Sequence, residues 1–191
     1  MNLPNKLTVT RMILVPVNIA VYLMEFGKNF SILGFKLPLY QIVVLAIFSI
    51  ASLTDLLDGK IARKYGLVTT FGKFMDPIAD KLLVNSVIIL LAWSGKIHVL
   101  VPIIMISRDI VVDAVRFIAA SNNKVVAASN LGKAKTVTQM IGIILVLLNN
   151  FPFALINIPM DQIVIIVATI ISFVSGYDYL MKNKDFIFES M

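Results

Sequence analysis

The sequence predicts an all-α integral membrane protein whose chain crosses the bilayer six times. Of its 191 residues, 59% are hydrophobic, whereas a soluble domain is roughly 45–50% apolar. Its mean hydropathy is +0.91, and the apolar residues fall in six long runs, each near the length of about 20 residues that a membrane-spanning helix needs. These runs use most of the chain, so we expect a single membrane domain over residues 1–191.

Each predicted span is bounded by polar or charged residues. The first is interpreted as a retained span, because no small-residue cleavage site follows it. The second is uncharged to Thr54, and its helical pattern continues through Arg63, so its end should project into water. The third has two acids in its first turns, and the fourth has a charged second half. In chain order the predicted spans are Leu7–Met24, Leu37–Thr54, Phe71–Gly95, Ile97–Ala120, Thr136–Asn150 and Gln162–Leu180.

The basic residues predict the orientation of the chain. Six spans place both termini on one side of the membrane, and of the 17 lysines and arginines only Lys28, Lys36 and Lys96 then lie on the other side. Cytoplasmic segments of membrane proteins are enriched in these residues, so we expect both termini in the cytoplasm and the chain in the plasma membrane. The net charge of +6 then reflects this bias and anionic lipid or phosphate ligands, rather than nucleic acid.

Four aspartates stand close together between the second and third predicted spans. Asp55 and Asp58 are three residues apart, and Asp76 and Asp80 are four apart, so each pair shares one face of a helix. A short loop joins the two helices, so the pairs can converge across a helical hairpin. Carboxylates beside membrane spans are costly and therefore indicate function. Four together would repel one another unless cations lie between them.

The residue types around these acids indicate a metal-bound diphosphate at the cytoplasmic face. The chain has no cysteine and only His98 as histidine, so the ligands are oxygens, which suit Mg²⁺, Mn²⁺ or Ca²⁺, and four carboxylates suffice for two metals. Gly59 and Gly72 allow close approach to the backbone. Ala62 is small, and Arg63 is a forked donor for phosphate. The alternative is that the acids are ordinary solvated helix ends paired with neighbouring lysines and arginines.

The spacing of these residues resembles the signature of the CDP-alcohol phosphotransferases. That signature reads Asp-x-x-Asp-Gly-x-x-Ala-Arg, eight residues, Gly-x-x-x-Asp-x-x-x-Asp, and it is filled without departure by Asp55, Asp58, Gly59, Ala62, Arg63, Gly72, Asp76 and Asp80. The resemblance implies a two-metal Mg²⁺ or Mn²⁺ site on the aspartates, with Asp80 as the base that takes the proton of the acceptor hydroxyl. It also implies a homodimer.

Three further segments resemble the phosphatidylglycerophosphate synthase branch of that family: Asn5–Arg11, Ser107–Arg116 and Gly132–Gln139. The resemblance implies transfer of a phosphatidyl group from CDP-diacylglycerol to sn-glycerol 3-phosphate, which gives phosphatidylglycerophosphate and CMP. It implies that Asn5 and Thr8 contact the cytidine, with helix capping as their alternative role. Asp109 stands where many members of the branch have glutamate, and it is assigned no role.

An acceptor that carries a phosphate needs a basic pocket. Arg108 and Arg116 lie two turns apart on one face of the fourth span, and Lys133 and Lys135 lie at the start of the fifth. Together they could hold the glycerol phosphate, and contact with anionic lipid is the alternative.

Other functions stay open at this point. The chain could belong to the same family with a different acceptor, namely inositol phosphate, serine or phosphatidylglycerol. A membrane prenyltransferase is disfavoured because its aspartate motifs are more widely separated. A divalent-cation transporter is disfavoured because its acids are expected near the middle of the bilayer.

Overall fold

The computed structural model describes residues 2–32, 35–64, 69–122 and 129–189, with the side chains of these residues except 3–4, 31–32, 35, 55–64, 73 and 185–189. Over these ranges the chain forms six α-helices, as predicted. They are α1 (Leu3–Met24), α2 (Leu39–Lys64), α3 (Thr70–Trp93), α4 (Leu100–Ser121), α5 (Asn130–Leu147) and α6 (Met160–Glu189). Each contains most of one predicted span, so the six apolar runs correctly identified the helices.

The bounds of two helices bear on the candidate site. Helix α2 continues to Lys64, which confirms the prediction that the helical pattern runs through Arg63. Helix α5 begins at Asn130, which is earlier in the chain than the start of the predicted span at Thr136. Its first turns are polar, so hydropathy alone does not reveal them. The Lys133 and Lys135 positions therefore lie inside the helix.

A short hairpin is an exception to the all-α prediction. Strands β1 (Asn29–Ile32) and β2 (Phe35–Pro38) pair antiparallel, with Asn29 opposite Pro38. The side-chain nitrogen of Asn149 donates a hydrogen bond of 3.1 Å to the backbone oxygen of Lys36. A single turn of 3-10 helix covers Phe153–Ile156. Each of these elements has only four residues, too few to show the long hydrophobic period on which the sequence analysis relied.

The chain divides into two compact units, residues 1–91 with 147–151 and residues 92–146 with 152–191. In the first unit α1 packs along α2, and the buried Arg11 donates through Nε to the backbone oxygen of Ala51 at 3.2 Å. In the second unit α4 packs along α6, and Val112, Val115 and Tyr179 form a buried cluster between them. A single domain over residues 1–191 stays a prediction.

The outer surface of the helices is strongly apolar. Phe117 is 75% exposed and Phe173 is 65% exposed, which is typical of surfaces that face lipid rather than water. Among the described residues, Asn5–Met24 and Met160–Lys184 are long and apolar enough to cross a membrane, and Leu39–Thr54 is a shorter apolar helix. These features indicate association with a membrane, and the number of spans stays a prediction.

Candidate functional site

In the first unit, the beginning of α1 lies against the beginning of α3. Asn2 is the N-cap of α1, where its side-chain oxygen accepts a hydrogen bond of 3.2 Å from the Asn5 amide. The alternative capping role for Asn5 and Thr8 was therefore wrong. The Asn5 side-chain oxygen instead accepts from the Thr69 hydroxyl at 2.8 Å. Thr8 is 1% exposed, and its hydroxyl donates to the carboxylate of Asp76.

Gly72 lies close to three of these oxygen atoms. A Cβ at this position would be 3.3 Å from the Thr69 hydroxyl, 3.4 Å from Asp76 Oδ2 and 3.5 Å from Asn5 Oδ1. The Gly72 amide also donates to the Thr69 hydroxyl at 3.0 Å, which makes Thr69 the N-cap of α3. Thr69 was missed in the sequence analysis, although a threonine directly before a helix is a recognised start signal.

The two aspartates of α3 are half-buried and one turn apart. Asp76 accepts from a neutral hydroxyl group, so its negative charge is not cancelled by that contact. All the donor atoms of Asp76 and Asp80 are carboxylate oxygens, which fit a hard divalent cation.

The other half of the predicted metal set lies on α2. The side chains of Asp55, Asp58, Ala62 and Arg63, with Gly59, lie outside those that the structure describes, although their backbone belongs to the helix. Among the described side chains, no three metal-ligating residues come together. The predicted four-carboxylate site therefore depends on Asp55 and Asp58.

In the second unit, a buried cluster of charges joins α4 to α5. The Lys135 ammonium donates to both oxygens of Asp109, at 2.7 and 2.9 Å. The guanidinium of Arg108 contacts the same carboxylate at 3.1 Å. The side chains of Lys135 and Asp109 are only 5% and 11% exposed. Asp109, to which the sequence analysis gave no role, is thus the shared partner of two predicted acceptor-site residues.

Arg108 is also held by α5 and α6. One of its terminal nitrogens donates to the Ser175 hydroxyl at 2.7 Å. A Cβ on Gly132 would lie 3.1 Å from that nitrogen, and a Cβ on Gly176 would lie 2.9 Å from Arg108 Cγ. The glycines on both helices therefore leave the room that the arginine occupies. Arg108 also lines a cavity of about 310 Å³ bordered by α4 and α6.

The other two predicted acceptor-site residues have different surroundings. Arg116 donates through Nε to the Tyr179 hydroxyl at 3.3 Å, and its guanidinium carbon lies 5.8 Å from the centre of the Tyr179 ring. Ser175 and Tyr179 are one turn apart on α6, so both predicted arginines lie against that helix. Lys133 is exposed on α5.

Three buried polar atoms of this unit have no hydrogen-bond partner among the described residues. They are Arg108 Nε, Gln139 Nε2 and Ser172 Oγ. Leaving a buried donor unpaired costs about 1–3 kcal/mol, so native proteins usually satisfy such groups with water or a ligand. Of these atoms, Arg108 Nε belongs to the charged cluster, where it leaves a donor for a polar anion.

Comparison with known proteins matches this chain over most of its length to one family. The family model of the CDP-alcohol phosphatidyltransferases matches residues 1–174. A Bacillus subtilis protein named CDP-diacylglycerol–glycerol-3-phosphate 3-phosphatidyltransferase is 40% identical over 183 residues, covering 95% of each chain. A Rickettsia felis protein of the same name is 35% identical and covers 97% of each chain. A Mycobacterium tuberculosis protein named probable phosphatidylglycerophosphate synthase is 33% identical, covering 95% of this chain and 81% of its own.

Proposed function

This chain belongs to the CDP-alcohol phosphatidyltransferase family, and we propose that it transfers a phosphatidyl group from CDP-diacylglycerol to sn-glycerol 3-phosphate. The products are phosphatidylglycerophosphate and CMP. The names of relatives that match over nearly their whole length support this pair of substrates.

The choice of a phosphorylated acceptor rests on the buried cluster of Arg108, Asp109 and Lys135. Two largely buried cations share one carboxylate, so Asp109 alone does not neutralise both of them. An unneutralised buried charge is costly, and a phosphate group would compensate it with charge-assisted hydrogen bonds. Serine carries no phosphate, and its single carboxylate offers these cations less negative charge. We assign acceptor-phosphate binding to Arg108 and Lys135, and we propose smaller contributions from Arg116 and the exposed Lys133.

The donor substrate is assigned to the residues of the aspartate motif. Asp55, Asp58, Asp76 and Asp80 would hold Mg²⁺ or Mn²⁺ in a two-metal site, which when bound neutralises a diphosphate. Thr8 orients Asp76 through its hydrogen bond. This contact fixes one carboxylate of the set before any ligand arrives, and preorganised charge of this kind is the main source of rate in phosphoryl transfer.

The nucleotide and diphosphate are assigned to small and donor residues around those acids. Gly59, Ala62 and Gly72 leave room for the diphosphate beside the backbone, and Arg63 donates to its oxygens. We place the cytidine beside the beginning of α1. There the side-chain nitrogen of Asn5 is the proposed donor to the cytidine, and Thr8 is the proposed second contact.

The proposed reaction step is a direct displacement. The acceptor hydroxyl oxygen forms a bond to the phosphorus that bears the diacylglycerol, and the bond from that phosphorus to the CMP oxygen breaks. Asp80 takes the proton of the attacking hydroxyl, and CMP leaves with the bonding electrons. Positioning of the two substrates supplies much of the rate, and no covalent enzyme intermediate is required.

A reconstituted assay tests this function. Purified protein in detergent, supplied with CDP-diacylglycerol, glycerol 3-phosphate and Mg²⁺, should release CMP only when both substrates are present, and excess chelator should stop the release. Competition with inositol phosphate, serine and phosphatidylglycerol should leave glycerol 3-phosphate the preferred acceptor. Metal flux into liposomes without CMP release would support a transporter instead.

We further propose six membrane spans with both termini and the site at the cytoplasmic face of the plasma membrane, in a homodimer of single-domain chains. The absence of cysteine from the sequence makes the topology directly testable. In intact cells, a membrane-impermeant thiol reagent should label Ser94→Cys and spare Lys184→Cys. Labelling of both from outside would contradict the topology, and a monomeric mass in detergent would contradict the dimer.

A further inference from the structure

Asp109 occupies a position that the proposed reaction does not itself use. Its carboxylate is 11% exposed and lies at the contact between α4 and α5. Both of its oxygens accept from the Lys135 ammonium, and Oδ1 also accepts from Arg108. One side chain therefore sets the position of two cations that come from different helices.

A carboxylate that contacts both cations lowers the repulsion between them. Lys135 and Arg108 are both largely buried, and like charges in such surroundings repel strongly. Lysine and arginine side chains also have many rotamers, so a fixed partner is needed to hold them in one arrangement. Ser175 fixes one terminal nitrogen of Arg108, and both oxygens of Asp109 accept from the Lys135 ammonium.

The surrounding backbone limits where Arg108 can move. A Cβ on Gly132 would lie 3.1 Å from a terminal nitrogen of Arg108, and a Cβ on Gly176 would lie 2.9 Å from its Cγ. Arg108 is thus confined on two sides by helix backbone and directed by Ser175 and Asp109. Its Nε remains buried without a partner among the described residues, which leaves a donor for a ligand.

We propose that Asp109 is a positioning residue for the acceptor, which orients Arg108 and Lys135 so that together they bind its phosphate group. The inference rests on the proposed function, because it takes the acceptor to be a phosphomonoester. Asp109 touches neither substrate, and it acts only through the two cations. Its removal should therefore weaken acceptor binding selectively and leave the lipid substrate unaffected.

Steady-state kinetics of three variants test the proposal. Asp109→Asn keeps the shape and removes the charge, and it should raise the KM for glycerol 3-phosphate about 10- to 100-fold, the range expected for lost charge-assisted hydrogen bonds. The KM for CDP-diacylglycerol should change less than about twofold, within the range of ordinary surface changes. Asp109→Glu should recover most of the acceptor affinity, because it restores the carboxylate.

Asp178→Asn is the matched control. It makes the same change of charge in the same unit, but Asp178 pairs with the exposed Lys182 at 2.9 Å. It should leave both KM values unchanged. Equal increases of both KM values in Asp109→Asn, or an unchanged KM for glycerol 3-phosphate, would overturn the proposal.

A second comparison applies if Asp109→Asn does not fold. Replacing both members of a buried ion pair with apolar residues of similar volume is often tolerated, so Asp109→Leu/Lys135→Met should be compared with Lys135→Met. The double variant should have the higher KM for glycerol 3-phosphate, because Arg108 also loses its partner. Equal values would reject the positioning role.

The wild-type enzyme separates this inference from the proposed function. Wild-type protein that releases CMP with serine and not with any phosphorylated acceptor would refute both. Wild-type protein that is active with glycerol 3-phosphate, with an unaffected Asp109→Asn variant, would refute the positioning role alone.

Discussion

Helices α3 and α5 begin with the same local structure, and their first turns lie beside side chains of opposite charge. In α3 the Thr69 hydroxyl accepts from the amide of Gly72 at 3.0 Å, and in α5 the Ser129 hydroxyl accepts from the amide of Gly132 at 3.0 Å. A Cβ on Gly72 would lie 3.4 Å from a carboxylate oxygen of Asp76, whereas one on Gly132 would lie 3.1 Å from the guanidinium of Arg108. The first turn of α3 thus lies beside a carboxylate, and the first turn of α5 lies beside a guanidinium.

The difference between the two helix starts lies in how each charge is compensated. Asp76 accepts from the neutral Thr8 hydroxyl, which leaves its negative charge available to a cation. Arg108 contacts Asp109, which also binds Lys135, so two cations share one carboxylate, an arrangement that favours an anion. The first arrangement suits a metal-bound diphosphate and the second suits a phosphate monoester, which together are what the proposed transfer requires.

Substitution of Asp80, the proposed base, should have the largest effect on turnover. Asp80→Asn should reduce kcat by about 10²–10⁴-fold, the usual contribution of a general base, while much of the affinity for the nucleotide remains. Turnover and binding of a CDP-lipid should be measured on the same preparation. Full activity of this variant would remove Asp80 from the role of base, and Asp178→Asn serves as the control for lost negative charge.

Removing a cation from the cluster of Arg108, Asp109 and Lys135 should weaken binding of the acceptor rather than slow the chemical step. Lys135→Ala should raise the KM for glycerol 3-phosphate by about 10- to 100-fold, and the KM for CDP-diacylglycerol much less. Lys133→Ala is the matched comparison. Lys133 is exposed on the same helix, and because exposed charges contribute little to interaction energies, this variant should change the KM for glycerol 3-phosphate less. Equal effects of the two substitutions, or equal effects on both substrates, would argue against a buried acceptor pocket.

The two glycines provide a direct comparison of the helix starts. Gly132→Ala should displace Arg108 by a few tenths of an ångström and raise the KM for glycerol 3-phosphate several-fold. Gly72→Ala has slightly longer contacts, at 3.3–3.5 Å, so its effect on the KM for CDP-diacylglycerol should be smaller. Thermal stability should not fall much in either variant, because alanine favours helix over glycine by up to about 1 kcal/mol.

If the two glycine variants changed the KM of the opposite substrates, the assignment of substrates to the two helix starts would be contradicted. If Gly132→Ala raised the KM for the lipid and Gly72→Ala raised the KM for the acceptor, the two substrates would have been assigned to the wrong charges. Unchanged kinetics in both variants would show that neither close contact matters for binding.

The sequence predicted the structural features that depend on hydrophobic periodicity and on the spacing of charged residues. The six helices follow from their long apolar runs, and the continuation of α2 through Arg63 follows from its helical pattern. Asp76 and Asp80 were placed on one helix by the same reasoning. Such features are local, so a single sequence contains the information that determines them.

What the sequence did not predict depends on contacts between distant segments or on polar helix starts. The contact between Asp109 and Lys135 joins residues 26 positions apart, and nothing in the local pattern identifies that pair. The early start of α5 was missed because its polar first turns do not register in hydropathy. The hydroxyl of Ser129, however, was a readable capping signal.

The cap residues should have the smallest effects, and these should differ between the two helix starts. Ser129→Ala removes the hydrogen bond to Gly132 and should lower stability by about 1 kcal/mol, the usual cost of a lost N-cap. Thr69→Ala removes the equivalent bond and also the one to Asn5, so it should cost about 1 kcal/mol more. Thermal unfolding in one detergent compares them, with Thr70→Ala as a control, since Thr70 is exposed and directly follows the cap. If Ser129→Ala proved the more damaging of the two, the contact between Thr69 and Asn5 would add nothing to the stability of the first helix start, and the Asn5 side chain would need another explanation for its position.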